Sequence, residues 1–401
     1  MHSFKLLLLV LCVGVGFCQA QDTTVLLSPL MFDKDIEQIY LSTMDGWLFK
    51  NGNDSSWAKK NIDLAGWQRL KPTGLSEKYA DKNGKVECWF RIKIKLDTAF
   101  RNKPVGFKLG TWAATDLYID GNLIGSFGNT GKDGTPFREY APFNKSPVPV
   151  DLMPGNEYGI AIHFVDYLSP LPPRRLKSQE MGLPQLIRLT GPRYSSDVIR
   201  QTNANSNFTS FMTVVCAVLG LLFWLLSFLN PIEKNLKRFA LCSTLYAAVL
   251  FFLHMQNSNV NLASYAANEF YSYAGSISFS FLVTMVPYTV ASVFKRRVTL
   301  AIRSFLIIIL FYLIVSGFLP FTAFVSNIAT ISTLGVIVAI CVYYLQSSWK
   351  TLKGAQWAVV AGLLVSMLSG ILLFTSFAMS YYSYVNPLIA GFALSFPLGL
   401  L

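Results

Sequence analysis

The chain is 401 residues long, 52% hydrophobic and carries a formal net charge of +12. Such a basic excess invites a nucleic-acid partner. However, the Lys and Arg of the first half alternate along stretches such as Arg91-Ile92-Lys93-Ile94-Lys95, the pattern of a solvated strand face, and no nucleic-acid role is expected. Six cysteines do not make a disulfide scaffold: Cys12 and Cys18 fall in a leader, Cys216, Cys242 and Cys341 in apolar runs, and Cys88 is left alone.

Met1–Lys5 carries one Lys, Leu6–Phe17 is an apolar core too short to span a bilayer, and Cys18-Gln19-Ala20 ends it with small residues. This is the grammar of a signal peptide over residues 1–20, cleaved after Ala20. Phe17 stands where a lipoprotein signal needs a small residue. Without a cysteine pair, the exported part suits a bacterial periplasm.

Residues 21–206 have the length of one domain. Asp22–Met44 shows no clear pattern. Strand signals follow at Trp47–Lys50, Glu87–Leu96, Val105–Trp112, Asp116–Ile119, Leu123–Phe127, Tyr158–Asp166 and Leu186–Thr190. Asp120-Gly121 marks a tight hairpin, because a type I′ turn needs positive φ at both central residues. Short strands with frequent turns and no long helical pattern predict an all-β antiparallel sandwich. Asp54 and Asp63 sit in turns where a carboxylate bonds its own backbone. A hard cation is the other use for such oxygens. Trp47, Trp57, Trp67 and Trp89 are read as core or staple aromatics.

Residues 207–401 hold seven apolar runs: Phe208–Leu229, Phe239–Gln256, Tyr273–Phe294, Leu300–Leu319, Phe321–Gln346, Gln356–Met379 and Tyr384–Leu401. Each is close to the roughly 20 residues that cross a hydrocarbon core, so an all-α seven-helix transmembrane bundle is expected. Lys234, Lys237, Arg238, Lys295, Arg296, Arg297, Arg303, Lys350 and Lys353 all lie on alternate connections, and the other connections carry no Lys or Arg. This split orients residues 21–206 outside and the C-terminus in the cytoplasm of a multi-pass inner-membrane protein. The seventh run reaches Leu401 itself, which makes an output module beyond this chain the expectation.

The chemistry of an enzyme is missing from the pattern. The three histidines are His2 in the leader, His163 in a strand and His254 near the end of a span, too scattered for a metal site. No phosphate-binding Gly-rich loop is present. No Asp, Glu, Lys or Arg lies near the centre of a span, as a transport pathway would require. No catalysis, metal or cofactor is expected of these residues.

Gly46-Trp47-Leu48-Phe49-Lys50-Asn51-Gly52-Asn53-Asp54-Ser55-Ser56-Trp57-Ala58, then Asp63-Leu64-Ala65-Gly66-Trp67, Cys88-Trp89-Phe90-Arg91-Ile92 and Tyr118-Ile119-Asp120-Gly121 resemble a galactose-binding-like jelly roll, in order, over about Gly46–Thr190. Placed before seven spans, that domain is similar to the bacterial seven-transmembrane receptors with diverse intracellular signalling modules. Gly110-Thr111-Trp112-Ala113-Ala114-Thr115-Asp116, His163-Phe164-Val165-Asp166-Tyr167-Leu168-Ser169-Pro170 and Lys353-Gly354-Ala355-Gln356-Trp357 look like the sensor half of a Bacteroidetes-type histidine kinase. The resemblance implies a periplasmic sensor for a small, often carbohydrate-like, ligand. It also implies a cytoplasmic kinase module in cis, a surrounding lipid bilayer and room for a homodimer. The alternative is a membrane-anchored binding or assembly module with no signalling output.

Sugars are held by flat aromatic faces and orienting polar groups on loops at one end of a sandwich. The residues of that type are Trp112 ahead of the hairpin, Arg138 and Tyr140 after it, and His163 and Asp166 in the late strand, with Glu139 and Tyr167 beside them. Arg138 supplies a fork of donors to hydroxyls or a carboxylate. Trp112 and His163 sit in strand patterns that also suit packing. Leu168–Arg175 is stiffened by three prolines and ends in two arginines, as a rim or a brace.

Overall fold

The computed structural model describes residues 23–33, 37–141, 146–169, 176, 186–257, 264–318, 323–354, 356–378 and 388–391. The expected leader, most of Leu168–Arg175 and nearly all of the seventh apolar run lie outside them. The chain divides into two compact units, Met1–Ile199 and Arg200–Leu401.

The first unit is built on two sheets. Its strands are β1 (Thr24–Leu27), β2 (Gln38–Tyr40), β3 (Leu48–Asn51), β4 (Gln68–Arg69), β5 (Lys85–Leu96), β6 (Val105–Leu109), β7 (Ala114–Ile119), β8 (Asn122–Phe127), β9 (Val148–Val150), β10 (Glu157–Tyr167) and β11 (Ile187–Thr190). The larger sheet runs β4-β3-β5-β10-β7-β8 and the smaller β2-β11-β6-β9. Alternation explains the long central strand. Cys88, Phe90, Ile92, Ile94 and Leu96 of β5 point into a core that they share with Ile160, Ile162 and Phe164 of β10 and with Phe107, Leu109, Ile187 and Leu189 of the smaller sheet. Each large side chain buried this fully contributes about 1.5–3 kcal/mol. The all-β sandwich expected from the sequence is therefore present.

Two features depart from expectation. The patternless lead-in forms β1 and β2, and β1 joins β5 in parallel, Thr24 opposite Lys93 and Leu27 opposite Leu96. β3 takes Cys88–Arg91 on the same strand. Gly46 (φ 94) carries the chain between the two, where an added Cβ would come within 3.1 Å of Thr23 O and Val25 Cγ2. Second, the face carrying Arg91 is not simply solvated. Lys95 is exposed, but Arg91 is 6% exposed. Its guanidinium donates to the carbonyls of Trp57, Lys59 (2.7 Å) and Lys60 (3.1 Å). Residues 54–67 fold over this outer face and bury Trp67, Trp89, Tyr118 and Ala161 in a second small cluster. Trp47 belongs to the central core, so these tryptophans pack on two different layers.

The hairpin forms as the turn chemistry requires, with Asp120 at φ 50 and Gly121 at φ 89. Asp120 Oδ1 accepts from Gly159 N (2.8 Å), and its Oδ2 pairs with Lys60 (2.7 Å). Asp54 and Asp63 accept from Ser56 N and Ala65 N, two residues on, as turn carboxylates do.

The second unit is helical: α1 (Ile199–Leu229), α2 (Lys234–Asn257), α3 (Tyr265–Val293), α4 (Leu300–Phe318), α5 (Ala323–Ser348) and α6 (Gln356–Ala378). Among the described residues, three helical stretches are long and apolar enough to cross a membrane: Asn203–Leu229, Lys234–Gln256 and Tyr265–Val293. The apolar helices Leu300–Val315, Ser332–Ser348 and Gln356–Gly370 are shorter. α1 and α3 begin about two turns before their apolar runs, because hydropathy marks the membrane-compatible part of a helix and not its start. Glu269, which falls between the second and third apolar runs, thus lies on α3 and accepts from Tyr265 OH (3.0 Å). Hydroxyls stitch the helices together, as between Cys242 Sγ and Thr289 Oγ1 (3.3 Å) and between Tyr246 OH and Ser366 Oγ (3.2 Å).

Candidate functional site

The register of the larger sheet sets one row of side chains across its outer face. Lys50 of β3 lies opposite Trp89 of β5, Trp89 opposite His163 of β10, His163 opposite Asp116 of β7, and Asp116 opposite Ser126 of β8. The His163 ring stacks on Trp89 with centroids 4.9 Å apart. Tyr118 packs on the same indole at 5.6 Å. Two carboxylates flank the imidazole. Nε2 is 3.3 Å from Glu87 Oε1, and Nδ1 is 3.7 Å from Asp116 Oδ2, an ion-pair distance and not a hydrogen bond. Lys85 Nζ closes on the far oxygen of Glu87 at 2.6 Å.

Burial alone would raise the Asp116 carboxyl. The imidazole of His163 and the hydroxyls of Ser126 and Thr130 outweigh it and hold the group below its usual value. Thr130 Oγ1 is 3.3 Å from Asp116 Oδ2. It arrives on an arm, residues 128–140, closed by backbone bonds between Asn129 and Arg138 (2.6 and 2.9 Å). The arm is tacked down towards its C-terminal end: Tyr140 packs edge-on against Phe127, and Phe137 lies 4.7 Å from the Tyr167 ring.

The five residues picked from the sequence do not form one cluster. His163 is 3% exposed on the outer face. Asp166 is fully buried and, by strand alternation, faces the opposite way; its Oδ1 accepts from Tyr167 N (2.8 Å). Trp112 is also fully buried, and it sits in the turn between β6 and β7 and not in a strand. Tyr140 is half-buried, and burial pushes its phenol up to about 12. Arg138 is exposed on the arm. The sequence marks Trp89 as a core or staple aromatic and carries no signal that singles out Glu87, Asp116 or Thr130 as site residues. The parity of β5 puts Glu87, Trp89 and Arg91 on one face, but the register with β7 and β10 cannot be read from the sequence.

The arrangement is a covered imidazole set between two carboxylates on an indole floor, beside a rim. The rim carries the exposed Arg138, the half-buried Phe137–Tyr167 ring pair and the half-buried Lys85–Glu87 ion pair. Cys88 is fully buried, and its thiol is pushed well above the usual range by burial first and then by the nearby carboxylates of Asp166 and Glu87. Among the described residues, no group of three or more His, Cys, Asp or Glu is placed to hold a metal ion. Neither the known protein-family models nor the curated proteins compared with this chain match it.

Proposed function

We propose that this chain is the sensory half of a membrane receptor. A periplasmic β-sandwich of the galactose-binding-like jelly-roll kind receives a small ligand, a carbohydrate or a small acid. Seven helices pass the change to a cytoplasmic output module, a histidine kinase, outside these residues. The reading rests on the motif resemblance to the bacterial seven-transmembrane receptors. The observation that carries it is the presence in one chain of a sandwich with an exposed arginine beside half-buried aromatic rings and of helices apolar enough to cross a membrane. The rim around Arg138, Phe137 and Tyr167 is the proposed contact surface, because a guanidinium fork orients hydroxyls or a carboxylate while a ring face covers the apolar side of a sugar.

The burial of Trp112, His163 and Asp166 favours a second reading, in which these groups only hold the sandwich together and its surface recognises a protein partner. A thermal-shift screen of sugars and small acids on the full chain in detergent separates the two. A ligand at a hundred times its Kd stabilises by about 2.7 kcal/mol, a readily measured shift. Arg138→Ala is expected to leave the unliganded Tm unchanged and to abolish that shift. If no compound moves the wild-type chain, the assembly reading takes its place.

A further inference from the structure

The connection between α3 and α4 does more than join two helices. A cavity of about 430 Å³ is lined by five cationic side chains, Arg238, Lys295, Arg296, Arg297 and Arg303, together with Ser292. They come from three segments: the first turns of α2, the α3–α4 connection and the first turns of α4. All five are exposed, so the space is reachable from solvent. Among the described residues none of the five makes an ion pair, and no Asp or Glu lines the cavity. Like charges gathered around one space repel, so their convergence costs stability unless an anion joins them.

Two of the cations are held in place. Arg238 donates to Asn235 Oδ1 (3.3 Å) and to the Ser292 hydroxyl. Arg296 Nε donates to Ser348 Oγ (2.9 Å), and its Nη2 to the Ser347 carbonyl. The side chains of Lys295, Arg297 and Arg303 have no such anchor among the described residues. The backbone adds an independent sign. Arg296 N bonds Ala291 O (2.8 Å) and Lys295 N bonds Ser292 O (3.0 Å), closing α3 with Lys295 in the left-handed region at φ 53. That position belongs to glycine, which has no Cβ to strain. A lysine there carries a conformational cost and adds a charge to the cavity. Cations near a helix C-terminus complement its dipole, and basic connections set membrane orientation. Neither role requires five of them to converge on one cavity or a lysine in the glycine position.

We infer that this cavity binds a multiply charged phosphate group, borne by an anionic membrane lipid or free in solution. The lipid source rests on the proposed membrane span with these connections inside; the free-anion source does not.

Two arms test it on the full chain. In the first, the protein is reconstituted in phosphatidylcholine nanodiscs containing a minor share of cardiolipin, a diphosphate lipid, and retained lipid is counted by native mass spectrometry. In the second, pyrophosphate binding is measured by calorimetry in neutral detergent. The variants are Arg297→Gln with Arg303→Gln, and separately Lys295→Gly. The control is Lys234→Gln with Lys237→Gln, which removes two charges from the first turn of α2 without touching the cavity lining. Retention of cardiolipin by wild type and control, with a loss of at least about tenfold in the double variant, supports a lipid source. Pyrophosphate binding with the same variant pattern and no retained lipid supports a free anion. Lys295→Gly is the sharpest variant. It relieves the backbone, so an intact or raised Tm with weakened binding separates a ligand role from a structural one. Equal behaviour of control and lining variants in both arms, or no binding in either, overturns the inference. A chain that fails to enter nanodiscs but binds pyrophosphate in this pattern contradicts the membrane reading and leaves the site standing.

Discussion

The sandwich and the helical unit treat charge in opposite ways. In the sandwich, several charged side chains go under cover and find polar partners there. Arg91 spends its guanidinium on three carbonyls, and Glu87 and Asp116 flank His163 on a tryptophan floor. In the helical unit, basic groups collect at the α3–α4 connection with no carboxylate among them. The physical reason is the backbone. The outer face of a sheet can be covered by a second layer of irregular chain that offers free carbonyls. A helix uses most of its carbonyls internally and leaves only those of its last turn, such as Ser347 O, to accept from a cation like Arg296. Covered charge in the sandwich thus organises the fold, whereas uncovered charge on the helical unit is free to recruit a ligand.

The largest effect is expected at Trp89, where the outer layer meets the sheet. Trp89→Ala is expected to cost the isolated sandwich, residues 21–206, about 3–5 kcal/mol in denaturant unfolding, since the ring is 1% exposed and supports both His163 and Tyr118. An unchanged unfolding midpoint would show that residues 54–67 merely rest on the sheet.

Lys108 is the sandwich's own case of crowded like charge. It lies directly opposite Arg188 across β6 and β11, and burial first, then Arg188, lowers its pKa from 10.5 to about 8. A lysine depressed in the folded state binds fewer protons there than when unfolded between those values. Stability therefore rises with pH from about 8 to 10.5, and the penalty is fully present below 8. Lys108→Met is expected to stabilise the sandwich at neutral pH by up to about 3 kcal/mol and to remove that alkaline rise. Thermal melts of both proteins across this range check it; parallel curves would show that the ammonium is solvated.

A smaller effect is expected at Asp116. Its carboxyl is held below the ordinary 3.8, so its contribution is present above that pH and is lost as the pH falls through the folded value. Asp116→Asn should cost about 1–3 kcal/mol at neutral pH, the range for disturbing a buried hydrogen-bonded group. The gap to wild type should close on acidification. A gap that persists at low pH would assign the loss to packing and not to charge.

These positions also show what the sequence could and could not tell. Alternation located β5 and β10, and Asp120-Gly121 located the hairpin, because both signals are local. β1 escaped notice because it has only four residues and its partner, Lys93–Leu96, is distant in sequence. Arg91 read as solvated because alternation separates two faces without saying whether the second is wet or covered by another layer of chain. The site was legible only in part for the same reason. His163 stood out as a rare residue, but the carboxylates beside it come from β5 and β7, which the register alone brings to it. Asp166, three residues further along β10, turns to the other face.

Topology tests the receptor reading most directly. Alkaline phosphatase, active only where its disulfides can form, is fused after Asn207 and separately after Leu401. The nine basic residues on alternate connections predict activity from the first fusion and silence from the second. Activity from the Leu401 fusion, or silence from the Asn207 fusion, would contradict a sandwich that senses outside and helices that report within.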